Sequence, residues 1–261
     1  MAKVTLIAHT PDPERTIACA AKLCYSPSSI ETVHNGLTDE KVSSFVEMLS
    51  EIGHESPIEH ASFTFGIEGV SRALLAQITR HRMASFSVQS QRYVAETSFE
   101  YVTPPEISAN SEAEKIFKEA MREDQRRYDE LAAILKKKHK AEFLKAGKDE
   151  KTADRMAEKK AIEDARFVLP NACETKMILT MNCRSLLNFF RHRCCNRAQW
   201  EIQDVANQML ALVSAVAPEI FKNAGPACLK GGCPEGKMSC GKAAEIREYY
   251  KKLKSQEQNN G

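Results

Sequence analysis

Segments in which apolar and polar residues alternate constrain the fold of this chain most. Residues 62–68 place two phenylalanines and an isoleucine at every second position, which is typical of a strand with one buried face. Residues 173–182 have the character of a second strand, and a short strand is expected at residues 3–8. The pattern lacks regular alternation of strands and helices, and no Gly-rich phosphate loop follows a strand. This argues against a Rossmann or P-loop protein, so side chains would have to hold any nucleotide.

Helical spacing of apolar residues accounts for most of the remaining chain. Gly53 fits the C-terminal end of the helix that is predicted at residues 39–52. Residues 25–38 are predicted to be a loop, and residues 90–102 to be extended chain. Helices are predicted at residues 15–24, 39–52, 70–82, 184–195 and 199–217, with two or three long amphipathic helices in an insertion at about 111–165.

The C-terminal segment differs in composition from the rest. Residues 1–222 are predicted to form the main domain, and residues 223–261 a Cys/Gly-rich and polar tail that is flexible. Cys228, Cys233 and Cys240 could bind zinc, but a fourth ligand is missing and no CxxC pair exists, so free thiols are favoured and no metal is expected. The nine cysteines are an odd number, which argues against a secreted disulfide scaffold.

Charge and hydropathy exclude several classes of function. The 261 residues include 37 Lys and Arg against 35 Asp and Glu, a net charge of +2, which gives no general case for binding nucleic acid. The basic run at residues 136–140 is interpreted as a solvated helix face, although a nucleic-acid contact stays open as an alternative. The N-terminus does not resemble a secretory signal, and no apolar run could cross a bilayer. We therefore expect a cytoplasmic protein that does not bind membranes.

One string of basic residues is the strongest functional signal. Arg80, His81 and Arg82 stand at the predicted end of a helix, where adjacent side chains point in different directions, and Gln77 lies one turn earlier. Ser90-Gln91-Arg92 follows in predicted extended chain, which would place Ser90 and Arg92 on one side. Guanidinium groups bind phosphate through paired hydrogen bonds, so the string predicts an anion site.

Two further segments add polar candidates. The loop from Gly53 to His60 ends just before a strand; a histidine there suits contact with a flat ligand, and the spacing of its acids and histidines fits no metal motif. Farther along the chain, Arg193 ends a predicted helix, where a cation suits the dipole. The other polar candidates in that region are Arg166, Asn182, Arg184 and Asn188.

Together these motifs resemble the flavin-dependent thymidylate synthase family. Arg80-His81-Arg82, seven residues and Ser90 match the family signature, and the segments around Gly53–His60, Ala165–Thr175 and Ala198–Ile202 are similar to others in the same order. The likeness spans roughly residues 16 to 221. It implies an α+β fold, with a twisted, mainly antiparallel sheet flanked by helices, assembled as a homotetramer whose active sites are shared between subunits.

The resemblance also implies chemistry and residue roles. It implies methylation of dUMP at C5 to dTMP, with methylenetetrahydrofolate as carbon donor and NADPH-reduced FAD as hydride source, without a covalent enzyme nucleophile. Arg193 would polarise the uracil, and Ser90 would place it. FAD would be bound by His60, Arg80, His81, Arg82, Asn182, Arg184 and Asn188, and dUMP by Gln77, Ser90, Gln91, Arg92, Arg166 and Arg193.

Departures from the family pattern keep an alternative open. Many relatives have Asn-Glu in place of Ser87-Val88, and often His in place of Arg197. An acidic contact to dUMP is then missing or supplied elsewhere. The alternative is a non-catalytic protein of the same fold that binds FAD and nucleotide without turnover.

Overall fold

A computed structural model describes residues 2–91 and 99–256 and divides the chain into two compact units. The first, here called the helical unit, contains Gly69–Ala76 and Val88–Lys176. The second, the sheet unit, contains Ala2–Glu68, Gln77–Ser87 and the chain from Met177 onward. The chain is α+β, as expected. None of the described helices is long and apolar enough to span a bilayer.

The chain forms a four-stranded antiparallel sheet, and most of the residues of its strands belong to the sheet unit. Its order is β1-β2-β4-β3, and β1 pairs with β2 in a register that sets Leu6 opposite Phe65, with an irregularity between Leu6 and Ala8. The alternation predicted for β2 is confirmed, because Phe63, Phe65 and Ile67 are all completely buried. The strands are β1 (Lys3–His9), β2 (Ser62–Ser71), β3 (Ser85–Val88) and β4 (Glu174–Asn182).

Helices cover this sheet and supply most of its core. The side chain of Gln208 in α9 accepts a hydrogen bond from the backbone N–H of Val4 in β1, at 3.1 Å. Phe189 and Phe190 of α8 are completely buried. The helices of the sheet unit are α1 (Pro13–Leu23), α2 (Ile30–Asn35), α3 (Asp39–Ile52), the end of α4 (Arg72–Ile78), α8 (Cys183–Arg193), α9 (Trp200–Val216), α10 (Pro218–Phe221) and α11 (Ala243–Gln256).

Two long helices dominate the helical unit, as the insertion pattern predicts. They are α6 (Ser111–Lys145) and α7 (Glu150–Ala165), preceded by the short α5 (Pro105–Ser108). Asn110 and Asp149 cap the two long helices by accepting backbone N–H groups. The buried alanines of α7 at positions 153, 157 and 161 recur every fourth residue, so the two helices approach closely along that face.

Three local predictions were wrong. Helix α2 lies in the predicted loop, because the Ser29 hydroxyl accepts the backbone N–H of Thr32 and starts a helical turn. Helix α4 is shorter than predicted, since β2 continues through Ser71, whose hydroxyl then accepts the N–H of Leu74. The short strand β3 was not predicted. The extended segment at 90–102 is described only in part: Tyr101 forms a bridge with Cys173, and residues 92–98 lie outside the described chain.

The tail is more ordered than its composition indicates. Residues 243–256 form α11, where irregular, disordered chain was predicted. Ile246 and Tyr250 are four residues apart and are both buried, so one stripe of this charged helix is apolar. The Tyr250 hydroxyl lies 2.8 Å from the carbonyl oxygen of Cys194 and 2.6 Å from Oδ1 of Asn207. These contacts attach α11 to the sheet unit.

Candidate active site

A groove of about 660 Å³ in the sheet unit collects the polar residues that the sequence singled out. One wall is the turn that follows α4, another is a face of α8 with its N-cap residue, and Glu55 and Glu59 come from the segment before β2. Six of the seven residues assigned to a flavin meet here; only His60 is missing from the lining. The lining comprises Glu55, Glu59, Arg80, His81, Arg82, Met83, Asn182, Arg184, Ser185, Leu187, Asn188 and Arg191.

The start of α8 fixes one wall of this groove. Asn182 is the N-cap residue, and its Oδ1 accepts the backbone N–H of Ser185 at 2.9 Å. Arg184 and Asn188 are exposed and four residues apart, so they share a helix face. Part of the Asn182 side chain is thus used in capping, while Asn188 projects from the exposed face.

Two carboxylates that were assigned no ligand-binding role hold Arg184. Its Nε lies 3.0 Å from Glu55, and one terminal nitrogen lies 2.5 Å from Glu59. Glu55 and Glu59 come from the loop that ends at His60, which is the last residue of a 3-10 turn and is exposed. The only signal in the sequence was an acidic pair four residues apart, and it did not identify their partner.

The string Arg80-His81-Arg82 is not helical, contrary to the prediction. Helix α4 ends at Ile78, and backbone N–H groups of Arg80 and His81 then donate to the carbonyls of Gln77 and Ile78, at 3.4 and 3.1 Å. The argument from adjacent helical directions therefore does not apply. The turn itself exposes Arg80 and Arg82 and leaves His81 half-buried between them.

His81 and Arg193 form the centre of the cationic cluster. Nε of Arg193 donates to Nε2 of His81 at 3.1 Å, and the imidazole packs edge-on against Phe189, with ring centroids 4.9 Å apart. Burial, together with the smaller effect of positive charge at Arg193, His192 and Arg80, lowers the pKa of His81 to about 4. His81 is therefore neutral near pH 7, with Nε2 as the acceptor. Arg193 ends α8, as predicted.

The guanidinium of Arg193 is also in an unfavourable environment. Burial lowers its pKa, and the charge of Arg80 adds to this. Among the described residues, no carboxylate forms an ion pair with Arg80, Arg82 or Arg193. The groove and its surroundings therefore contain several positive charges without a carboxylate partner among the described residues, an environment that favours binding of an anion.

The other residues assigned to substrate belong mainly to the helical unit. In that unit, Nε of Arg166 donates to the carbonyl of Glu163 at 3.1 Å, with its guanidinium 5.8 Å from the centroid of Phe167. The buried amide of Gln91 donates to Sγ of Cys173 at 3.2 Å, and Ser90 is half-buried. Gln77 is half-buried in the part of α4 within the sheet unit. Arg92 lies outside the described residues, so its assigned contact stays a prediction.

Comparison with known proteins places the chain in a family. A sequence profile described as thymidylate synthase complementing protein (Thy1) matches residues 5–219. The chain belongs to this family. Three relatives, each named flavin-dependent thymidylate synthase, match the chain over nearly its full length. They are from Clostridium tetani (56% identity, 95% of this chain and 96% of the relative), Geobacter sulfurreducens (46%, 96% and 99%) and Pyrococcus abyssi (36%, 97% and 98%).

The Thy1 profile covers every residue that lines the groove. It ends at residue 219, so α11 and the cysteine-bearing segment lie beyond it. The alignment with the Clostridium tetani relative nevertheless covers 95% of the chain. The groove therefore lies within the part that defines the family.

Proposed function

We propose that this protein is a flavin-dependent thymidylate synthase that methylates dUMP at C5 to give dTMP. Methylenetetrahydrofolate would supply the carbon and NADPH the reducing power. The single observation that carries this proposal is the groove, in which Arg80, His81 and Arg82 face the polar residues at the start of α8. The names of the relatives support the same activity.

The residues of the groove fit FAD. Arg80 and Arg82 are exposed and have no carboxylate partner among the described residues, so both can bind a diphosphate. Asn182 and Asn188 offer amide groups that suit a ring with donors and acceptors on its edge. Arg184 is largely neutralised by Glu55 and Glu59 and would orient the ligand more than attract it. When bound, FAD supplies the hydride that completes the methyl group.

Arg193 is proposed to act on the uracil of dUMP. It lies beside a neutral His81, so its positive charge is not cancelled there. A fixed cation next to a carbonyl oxygen stabilises the negative charge that develops when C5 becomes nucleophilic. Ser90 is assigned to placing the substrate, without covalent attack. The remaining proposed contacts to dUMP are Gln77, Gln91, Arg92 and Arg166.

We further infer a homotetramer with active sites shared between subunits, located in the cytoplasm. The support is the family resemblance, together with an arginine string exposed on the surface of the sheet unit. No nucleic acid or membrane partner is proposed. Sedimentation of the purified chain, with and without FAD, would test the tetramer.

The decisive experiment measures release of tritium from dUMP labelled at C5. FAD, NADPH and methylenetetrahydrofolate are supplied together and then omitted one at a time under low oxygen. Release that requires all three establishes the proposed reaction. A chain that binds FAD and dUMP but releases no tritium would contradict it and establish the non-catalytic alternative. Val88→Glu and Arg197→His, the departures from the family pattern, would then be tested for restored turnover.

A further inference from the structure

Four cysteines lie on segments that are held near the C-terminal end of α8. Three of them, Cys228, Cys233 and Cys240, lie between α10 and α11 in the spacing C-x4-C-x6-C. The fourth, Cys195, lies two residues beyond the end of α8. The sequence offered three potential metal ligands and lacked a fourth within the tail. The fold provides the fourth from a distant part of the chain.

Two polar contacts hold the cysteine segments near each other. Arg197 forms an ion pair with Glu235, and these residues are two positions after Cys195 and Cys233 respectively. The segments that carry these two thiols are therefore joined directly. The Tyr250 hydroxyl, 2.8 Å from the carbonyl of Cys194, attaches α11 to the same turn.

The tail thiols are also joined to α11. Nε of Arg247 donates to the carbonyl of Cys228 at 2.9 Å, and its terminal nitrogen donates to the carbonyl of Gly231 at 2.5 Å. Cys240 lies three residues before the first residue of α11, the same helix whose Arg247 binds the Cys228 segment.

We propose that Cys195, Cys228, Cys233 and Cys240 bind one Zn²⁺ ion in a structural site. Four thiolates are a complete ligand set for tetrahedral zinc, leaving no open position for a substrate. The four thiols lose four protons on binding, and no electrons are exchanged. The zinc–tetrathiolate unit carries two negative charges, and the guanidinium of Arg247, which binds the backbone of the Cys228 segment, supplies a positive charge in the same region.

Closing the site requires a movement of exposed chain. No group of three or more His, Cys, Asp or Glu side chains in residues 2–91 and 99–256 is yet arranged to hold a metal ion. The segment that must move, residues 231–242, is mostly exposed and contains a single 3-10 turn, Gly236–Met238. Gly241 follows Cys240 directly with φ of 73°, a conformation that turns the chain sharply at that thiol.

The proposed zinc site would fix the position of Arg193. Cys195 is two residues beyond Arg193, so a metal bound there would anchor the end of α8 to the C-terminal segment. A structural metal would thereby support the groove without touching any ligand in it. This inference does not rest on the proposed function, because zinc content is measured without any assay of dTMP synthesis.

The test uses the full chain, purified with a non-thiol reductant, supplied with zinc and then desalted. Metal analysis is expected to find about one zinc per chain. Cys228→Ser and Cys233→Ser should each lose most of it. Cys24→Ser should keep it, because Cys24 is exposed at the end of α1. A wild-type chain that retains no zinc, or a Cys233→Ser variant that retains as much as wild type, would overturn the proposal.

A second measurement separates loss of ligands from loss of folding. Cys233 lies in an exposed segment, so its substitution leaves the buried core intact, which far-ultraviolet circular dichroism would verify. Cobalt substituted for zinc should show the charge-transfer absorption of a tetrahedral thiolate in wild type and lose it in Cys233→Ser. A cobalt spectrum without thiolate bands, or native protein containing iron and acid-labile sulfide in place of zinc, would contradict the assignment.

Discussion

Two groups of basic residues in this protein differ in the groups that their side chains contact. On the helical pair α6–α7, positive charges are paired with acids: Lys136 contacts Asp154 and Glu158, and Lys140 contacts Glu150 and Asp154. At the groove of the sheet unit, by contrast, Nε of Arg193 donates to the neutral imidazole of His81, which lines the groove.

The direction of the pKa shifts expresses the same difference. The hydrogen bond that Lys136 donates to Asp154 raises the pKa of Lys136, and the one that Lys140 donates to Glu150 raises that of Lys140. Burial lowers the pKa of both His81, which lines the groove, and Arg193 beside it. The first group is neutralised by neighbouring carboxylates, whereas Arg193 in the second forms no ion pair with a carboxylate among the described residues. Residue type alone therefore does not distinguish a cation that is available to a ligand from one that stabilises the fold. The contacts of the cationic side chain make that distinction.

Replacing Arg193 should give the largest effect. Arg193→Ala removes the cation proposed to stabilise charge on the uracil, so turnover should fall by roughly 10²–10³-fold. Bound FAD should remain, because Arg193 does not line the groove. Tritium release per bound flavin measures turnover, and the flavin absorbance of the purified protein measures how much FAD remains bound. A variant that loses its flavin but keeps normal turnover per remaining flavin would show that the roles are assigned wrongly.

Replacing the exposed arginines of the turn should weaken FAD binding. Each charged hydrogen bond to a phosphate is worth about 1.5–3 kcal/mol, so Arg80→Ala and Arg82→Ala should each raise the dissociation constant roughly tenfold or more. Arg126→Ala on α6 is the matched control, because that arginine is paired with Glu123 and Glu130. Fluorescence titration with FAD gives the constants. Equal weakening by the control would remove the distinction between the two groups.

Acid should destabilise the protein through His81. Its pKa is about 4 when folded and has an ordinary value of 6.5, so the unfolded chain binds the proton first as pH falls. The stability due to neutral His81 is complete above pH 6.5 and is lost between pH 6.5 and about 4. Because His81 is partly exposed, we expect about 1 kcal/mol.

Urea denaturation at about pH 7.5 and about pH 5 would measure this contribution. His81→Gln should reduce the difference in unfolding free energy between the two conditions. His34→Gln, at an exposed position on α2, should leave that difference unchanged. If His81→Gln has the same dependence on pH as wild type, the imidazole is not the group that titrates.

Features carried by local spacing could be predicted from the sequence. The burial of Phe63 and Phe65 follows from a period of two, and the end of α3 follows from Gly53, whose φ is 70°. The segment 184–195 was predicted to be helical and forms most of α8. In each of these cases, a few adjacent residues are enough to determine the local structure.

Features that depend on distant contacts could not be predicted. The ion pairs of Arg184 join it to Glu55 and Glu59, which are 129 and 125 positions away. Helix α11 was missed because its buried stripe, Ile246 and Tyr250, is narrow and surrounded by charge. The turn after α4 was taken for helix because nothing in its composition ends one. The ion pairs of Arg184, helix α11 and the turn after α4 are all determined by tertiary contacts and not by local propensity.

The smallest effect is expected on the α6–α7 pair, where charges already satisfy one another. Lys136→Ala should change the free energy of unfolding by less than about 1 kcal/mol, because ion pairs at partly exposed positions gain little over water. Nucleic-acid binding should be absent in wild type and variant alike, since Asp154 and Glu158 compensate this lysine. Fluorescence anisotropy with a labelled oligonucleotide over a range of salt concentrations would detect it. Steeply salt-dependent binding that weakens in Lys136→Ala would mean that paired cations can still recruit a polyanion.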